Sequence, residues 1–574
     1  MAEPRYGWPG TPVKDRRSSG KTSGNGKIRG GLAVASQSAR SAAGFDYIVI
    51  GAGSAGCIVA RRLSEDGSRV LLLEAGPPAR SLWVSMPAGM SKLFTPGVHN
   101  WGYATEAEPH LGGRTVYAPR GRGLGGSSLI NGMVYVRGQR EDYETWRQLG
   151  NAGWAWADVL PYFKKLEHRA GAPSEHRGRG GEIWVSDSAD AIRHPVCHDF
   201  IEACARNGLP RNEDYNGEDQ EGAGFLQFSI RNGVRHDAAT AFLAPALKRP
   251  NLAVTTEALV HRIAFDGRRA TGVEYSTNGE MRSARAREVI MCAGALDSPK
   301  LLMLSGIGPA EELRSHGIAV VHDLPGVGHN LQDHFNTPYT CRTASASSVN
   351  EELRGLRLLR HGAHYLLARK GLLTMGSSQA YAFARVMPTA SRPDIQINFR
   401  PVSWEYDAAG IHVVGTSPAV TASIGLLRPH ARGRVRLRSA DAHDAPRIHA
   451  NYLDSMADCD TVVAGMHLLR KIFATQPLKS HVLAEQAPGD SCRSDDEILD
   501  YFRRAGQSMH HWAGTCKMGT DAMAVVDDRL RVRGVDALRV IDASVMPLIT
   551  SGNTHAPTLM IGAKGADLVT GRSP

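Results

Sequence analysis

Residues Phe45 to Gly56 read FDYIVIGAGSAG, a run rich in β-branched and aromatic side chains that passes straight into a glycine-rich turn. Such a run predicts a short buried strand. From Ser54 to about Ser64 small and apolar residues alternate as a helix would, and Arg69 to Leu73, RVLLL, reads as a second buried strand. Strand, turn, helix and strand make one βαβ unit. Gly51, Gly53 and Gly56 supply GxGxxG at the turn. The first permits the tight turn, the second lets backbone amides approach a pyrophosphate, and the third allows close helix–strand packing. The phosphates belong at the helix N-terminus, where unpaired N–H groups and the helix dipole favour negative charge. Glu74 ends the second strand 18 residues after Gly56, where a carboxylate can accept hydrogen bonds from a ribose diol. The unit predicts dinucleotide binding, and the fingerprint alone leaves NAD and FAD open.

Outward from this unit, the chain of 574 residues is long enough for two or three domains or one large enzyme fold with insertions. With 42% hydrophobic and 22% charged residues it has the composition of a soluble globular protein. No stretch approaches the roughly 18 uninterrupted apolar residues of a membrane-spanning helix, and the N-terminus lacks the apolar segment of a secretory signal. A cytoplasmic protein is expected, with a peripheral place at a respiratory membrane as a variant of that reading. The eight cysteines are scattered with no CxxC pair and no Cys/His cluster, so neither a disulfide framework nor a metal site is indicated. Residues 1–44 contribute +6 of the net charge of +10. Their Gly, Ser and Lys/Arg richness predicts a disordered basic tail, with a mitochondrial presequence as the alternative. No compact basic face with interleaved aromatics remains to suggest nucleic acid. Residues 75–140 are Gly- and Pro-rich and predict a long extended segment. Thr255 to Tyr275 predicts a hairpin around Asp266-Gly267, followed by a strand at Glu288 to Cys292 and another near Gly433 to Leu437, with helices near 352–368 and 457–474.

Further segments narrow the choice. Arg120 to Gly138, RGRGLGGSSLINGMVYVRG, and Gly294 to Gly308, GALDSPKLLMLSGIG, resemble the two signatures of the glucose-methanol-choline (GMC) oxidoreductase family. PGVGHNLQDH from Pro325, HWAGTCKMG from His511, and LRVIDASVMPLITSGNTHAPTLMIGAKGADL from Leu538 are also similar to that family, so the resemblance runs from about Phe45 to the end. It implies an α/β fold: a Rossmann-like FAD-binding domain with a discontinuous, α+β substrate-binding domain on an antiparallel sheet. The corresponding division is a tail at 1–44, an N-terminal module at 45–340, a substrate-domain segment at 341–422 and a C-terminal module at 423–570. The resemblance also implies FAD rather than NAD. Ser54, Ala55 and Glu74 would hold the pyrophosphate and ribose, and Val260 would meet the adenine. Gly123, Ser127, Asn131, Gly132, Met133 and Val134 would line the isoalloxazine, with Asp542 and His555 completing its surroundings. Ile130 stands where some members carry a flavin-linking histidine, so the FAD should be non-covalent.

Alcohol oxidation needs a base for the hydroxyl proton, and histidine suits because its pKa lies near neutrality. The family's base corresponds to His511, followed here by Trp512 in place of the usual proline, with the adjacent His510 as the alternative in register. The second catalytic position corresponds to His555, so a His/His pair is expected, His555 steadying a developing alkoxide. Cys516 reads as a small packing residue, without an activating base. The choline dehydrogenase-like reading is an alcohol dehydrogenase that passes electrons to a quinone or another acceptor. The alternatives are an oxygen-reducing alcohol oxidase and a hydroxynitrile lyase that keeps its flavin as structure. Ser378, in the position matching a photodecarboxylase cysteine, argues against that branch. Trp404, Glu405 and Tyr406 have the residue types of a cage for a quaternary ammonium, although a surface loop explains them as well.

Overall fold

The computed structural model describes residues 44–572 apart from 80, 172, 188–192 and 407–411, so the expected basic tail lies outside the described residues save for Gly44. Val70–Leu73, Phe45–Ile50 and Glu280–Met291 lie side by side, with Leu252–Thr255 outside the first and Leu538–Val540 outside the last. All four pairings among these five strands are parallel. Val70–Leu73 and residues 48–50 and 289–291, at the centre of this parallel region, are buried on both faces, as parallel sheets covered by helices are. Glu280–Met291 runs past the parallel region and folds back antiparallel on Arg269–Thr277, which pairs with Ala258–Asp266. The hairpin therefore turns at Asp266-Gly267, as its sequence predicts.

The helix Ser54–Leu63 leaves the first strand at the glycine turn and packs along the C-terminal helix His555–Thr570. A Cβ added at Gly562 would stand 2.9 Å from the Ala55 Cα, so the crossing is close enough to require glycine. The end of the chain is thereby held against the nucleotide-binding turn.

A second seven-stranded sheet is antiparallel throughout, in the order Val482–Ala487, Phe335–Thr343, Ala419–Leu426, Ile395–Arg400, Ala380–Ala384 and Gly222–Phe225, with Gln507–Ser508 also on Phe335–Thr343. Its strands come from distant parts of the chain. Helices Pro195–Arg206 and Met456–Phe473 cover one face, giving a second hydrophobic core separate from that of the parallel sheet. The opposite face looks into the space between the two sheets. Residues 75–140 run across the molecule in short helical turns and two-residue strands, as expected of an extended segment.

Candidate active site

One cavity of about 2400 Å³ runs from the glycine turn of the first sheet to the open face of the second. That is well above the few hundred to about 1,000 Å³ of an ordinary small-ligand site and has room for a dinucleotide as well as a substrate. At one end Gly53 caps the helix Ser54–Leu63 without any side-chain hydrogen bond to the helix amides. A Cβ on Gly53 would have no neighbour nearer than the Cys292 carbonyl oxygen at 3.9 Å, so the space above the turn is open. At Gly56 a Cβ would come within 1.9 Å of the Gly51 oxygen, and Gly51 itself has φ +95°. Two glycines thus build the turn while the third leaves room over the helix N-terminus, where an anion is favoured.

All the residues expected at a cofactor line this cavity except Gly56 and Gly123. Gly123 lies beneath the wall and does not line it: its amide donates to Glu74 Oε1, 3.0 Å away, and Gly76 packs against its backbone. Glu74 lines the cavity with its carboxylate already engaged by the chain. Its carboxylate accepts from the amides of Ala52 (2.9 Å), Gly76 (2.8 Å) and Gly123, tying three loops together. Burial raises it to about 6 against the pull of those amides. Ser127 Oγ is held by the Arg120 guanidinium and the Gly121 amide. Asn131 Oδ1 accepts from Met133 N and the buried Arg235. Asp542 accepts from Gly294 N, Ser298 Oγ and Ser544 N. Val260 reaches the cavity from its hairpin strand.

At the other end lie the histidines. His511 Nδ1 is 2.8 Å from His334 Nδ1, and His334 Nε2 is 2.9 Å from the Leu427 carbonyl oxygen. A carbonyl can only accept, so His334 Nε2 carries a proton. Burial pushes His334 down to about 4, which keeps the ring neutral and leaves Nδ1 bare. His511 Nδ1 must then donate, and the lone pair of His511 lies on Nε2. The other side agrees independently: Asn553 Nδ2, a group that only donates, stands 2.9 Å from His511 Nε2. Burial, reinforced by His334, His510 and Arg120, holds the His511 pKa well below the ordinary imidazole value.

The backbone around His511 is equally constrained. Asp333 Oδ1 accepts from His511 N at 2.6 Å, while its Oδ2 accepts from Tyr452 Oη and Ser508 Oγ. His510 has φ +65°, a left-handed turn that costs a non-glycine residue about 1–2 kcal/mol. That turn is held by His510 N donating to Ser508 Oγ at 2.7 Å and by Arg120 donating to the His510 carbonyl. His510 also lines the cavity, and burial holds it at about 3, but its Nδ1 has no partner. The protonic chain runs through His511.

His555 does not join that chain. Its Nδ1 is 3.0 Å from Ser54 Oγ on the nucleotide helix, and its Nε2 is buried without a partner on the cavity wall. The residue in contact with His511 is Asn553, two positions earlier. The His/His pair that forms is His511 with His334, which sits at the end of PGVGHNLQDH.

Models of the GMC oxidoreductase family match residues 45–336 and 429–562. The chain belongs to the GMC oxidoreductase family. It is 42% identical over 533 residues to the oxygen-dependent choline dehydrogenase of Brucella anthropi, covering 92% of this chain and 96% of that one. It is 41% identical over 534 residues to an alcohol dehydrogenase [acceptor] of Pseudomonas putida, covering 92% and 95%. A structure of formate oxidase from Aspergillus oryzae RIB40, described for its FAD modification, superposes with a TM-score of 0.86 at 26% identity over 93% of this chain and 99% of that one. As a GMC member the protein is an oxidoreductase and a flavoprotein, and the two-sheet architecture is the family's.

Other expected positions have clear places. Ile130 and Ser378 are buried and line the cavity. Cys516 is fully buried and its thiol is raised by burial, so it packs and does not act as a nucleophile. Trp404–Tyr406 is a strand paired with His412–Val414, not a loop, and Trp404 and Glu405 reach the cavity. Glu405 accepts from Thr416 N at 3.1 Å. His334, Asp333, Arg120 and Asn553 were not singled out from sequence. The first two stand inside a stretch that did carry a family signal, and Asn553 is within GNTHAP.

Proposed function

We propose that this enzyme oxidises an alcohol to an aldehyde with bound FAD as hydride acceptor and His511 as base. The observation that carries the reading is the unprotonated Nε2 of His511, on the cavity wall, whose lone pair accepts from Asn553 under a proton order that begins at the Leu427 carbonyl. FAD would lie from the Gly51–Gly56 turn to the Ser127–Val134 wall, with Glu74 and Val260 at its adenosine end, and it would supply the two-electron redox chemistry. Non-covalent attachment is supported by Ile130, which has no nucleophile.

Toward the substrate, His511 Nε2 would take the hydroxyl proton as the hydride leaves the carbon. Asn553 Nδ2, beside it, would donate to the substrate oxygen and steady the charge that develops there. His555 Nε2, on the same wall, is the further donor or acceptor available. Asp333 and the Ser508–His510 turn act through position, since they hold the His511 backbone and touch no reacting atom. The acceptor that reoxidises the enzyme is a quinone or another small oxidant, in keeping with the bracketed term in the name of the Pseudomonas putida relative; oxygen is the alternative, in keeping with the name of the Brucella relative. Among the described residues no helix is long and apolar enough to cross a membrane, which is compatible with a cytoplasmic or peripheral enzyme.

Anaerobic addition of a panel of alcohols to the holoenzyme tests the reading. Bleaching of the visible flavin band by at least one alcohol, lost in His511→Ala, is expected. An oxidised flavin after every alcohol would overturn it. Admitting air to the reduced enzyme then separates the acceptors: slow reoxidation supports the dehydrogenase, and rapid reoxidation with stoichiometric peroxide supports the oxidase.

A further inference from the structure

Gln396, Asn398 and Arg400 alternate on the strand Ile395–Arg400 and so share one face of the antiparallel sheet. Gln396 Nε2 reaches Asn553 Oδ1 at 3.4 Å and Asn398 Oδ1 at 3.2 Å, which starts the row at the side chain touching His511. Arg400 ends it, four residues along, roughly 13 Å away at the backbone. Asn398 and Arg400 both line the cavity.

Arg400 has no acidic partner among the described residues. Its Nη2 donates to Ser423 Oγ at 2.9 Å, and its Nε has no partner among the described residues. Arg400 is half-buried on the cavity wall, and burial pushes its pKa down to about 10, so it is cationic at neutral pH. Its neighbours across the sheet on that face are neutral: Thr421, whose hydroxyl meets Thr340, and Ser423. The nearest acid along the chain, Glu405, spends its carboxylate on Thr416. A guanidinium half-removed from water without a counter-charge is costly, and the cost is relieved when an anion enters. It also disfavours a quaternary ammonium in the same space. Leu358, Leu366, Met375 and Val402 also line the cavity.

We propose that Arg400 is the binding site for a carboxylate at the far end of the substrate, so that the alcohol oxidised at His511 is a hydroxy acid long enough to span the row from Asn553 to Arg400. This rests on the alcohol-oxidation reading above. The planar fork of Arg400 would take the carboxylate in a two-point contact, with Ser423 as a neighbouring donor. The hydroxyl would then lie at the Asn553 end of the row.

The test compares ω-hydroxy carboxylates of increasing chain length with their methyl esters and with the n-alkanols of equal length, on wild-type holoenzyme, Arg400→Gln and Arg400→Lys. In the wild type kcat/KM for the best acid is expected to exceed that of its ester by about 10- to 100-fold, the range of a charge-assisted contact. Arg400→Gln should erase that preference through KM while neutral alcohols keep their kcat, and Arg400→Lys should restore part of it. A second readout needs no turnover: saturated fatty acids, which lack the hydroxyl, are titrated into the oxidised holoenzyme while flavin absorbance is followed. The Kd should rise by a similar factor in Arg400→Gln. Equal wild-type kcat/KM for acid and ester, or an acid preference that survives Arg400→Gln, overturns the proposal. If no alcohol reduces the flavin, the alcohol-oxidation reading fails, and the fatty-acid titration still decides whether Arg400 binds carboxylates.

Discussion

Neighbours on both sides of the His511 ring agree about where its proton lies, which supports its proposed role as base. Replacing it with Ala should lower kcat/KM by about 10²- to 10⁴-fold, the usual contribution of a positioned base, with flavin content unchanged. The pH dependence follows from the direction of its shift. A depressed pKa keeps the ring neutral into the acid range, so kcat/KM is expected to stay level from neutral pH downward and to fall only as the pH drops through that depressed value. Asp333, raised to about 6 by burial, accepts from the His511 backbone and not from the ring, so its protonation leaves the ring's proton order in place. An acid limb at the ordinary imidazole value in the wild type would contradict the burial of this ring. His334→Ala removes the acceptor of the Nδ1 proton together with some of the burial and like charge that lower His511. It should cost about tenfold or more in kcat/KM and move the acid limb upward, both read from one pH–rate profile.

At the scale of elements, the glycine turn and the two helices that meet beside it carry separable functions. At Gly53 the space a side chain would occupy is cavity, whereas at Gly56 it is the Gly51 carbonyl. Gly53→Ala should therefore leave thermal unfolding of the apoprotein unchanged while lowering the flavin-to-protein ratio. Gly56→Ala should lower both, the overpacking costing about 1–3 kcal/mol. If both variants behaved alike, the division of labour within GxGxxG would be wrong. The βαβ unit, the hairpin at Asp266-Gly267 and the long helices were legible in the sequence because each depends on residues near one another in the chain. The strand at Trp404–Tyr406 was not, because its partner and its exposure to the cavity depend on the second sheet.

For the whole molecule, the cavity is walled by both sheets, so a bound cofactor touches elements from most of the chain. FAD added to the apoprotein at about 100 times its Kd should stabilise it by about 2.7 kcal/mol, visible as a higher Tm. Heat or acid denaturation should release all of the flavin into solution, as a non-covalent cofactor at Ile130 requires; flavin retained on the precipitated chain would refute that. The sequence alone determined the glycine-rich βαβ turn and the family and pointed to His511 as the candidate base, since these are written in contiguous motifs whose local geometry follows from residue type. It could not decide the partners of His511. His334 and His511 are 177 positions apart, and the carbonyl that orders their protons belongs to a third segment. Sequence likewise placed His555 at the substrate, while packing of the C-terminal helix on the nucleotide helix turned one of its nitrogens to Ser54 and left Asn553 beside the base. The charge of Arg400 is evident from its residue type, but its isolation from every described carboxylate is a property of the cavity. Hydrogen bonds and desolvation act over a few ångströms in space, and only the folded chain sets those distances.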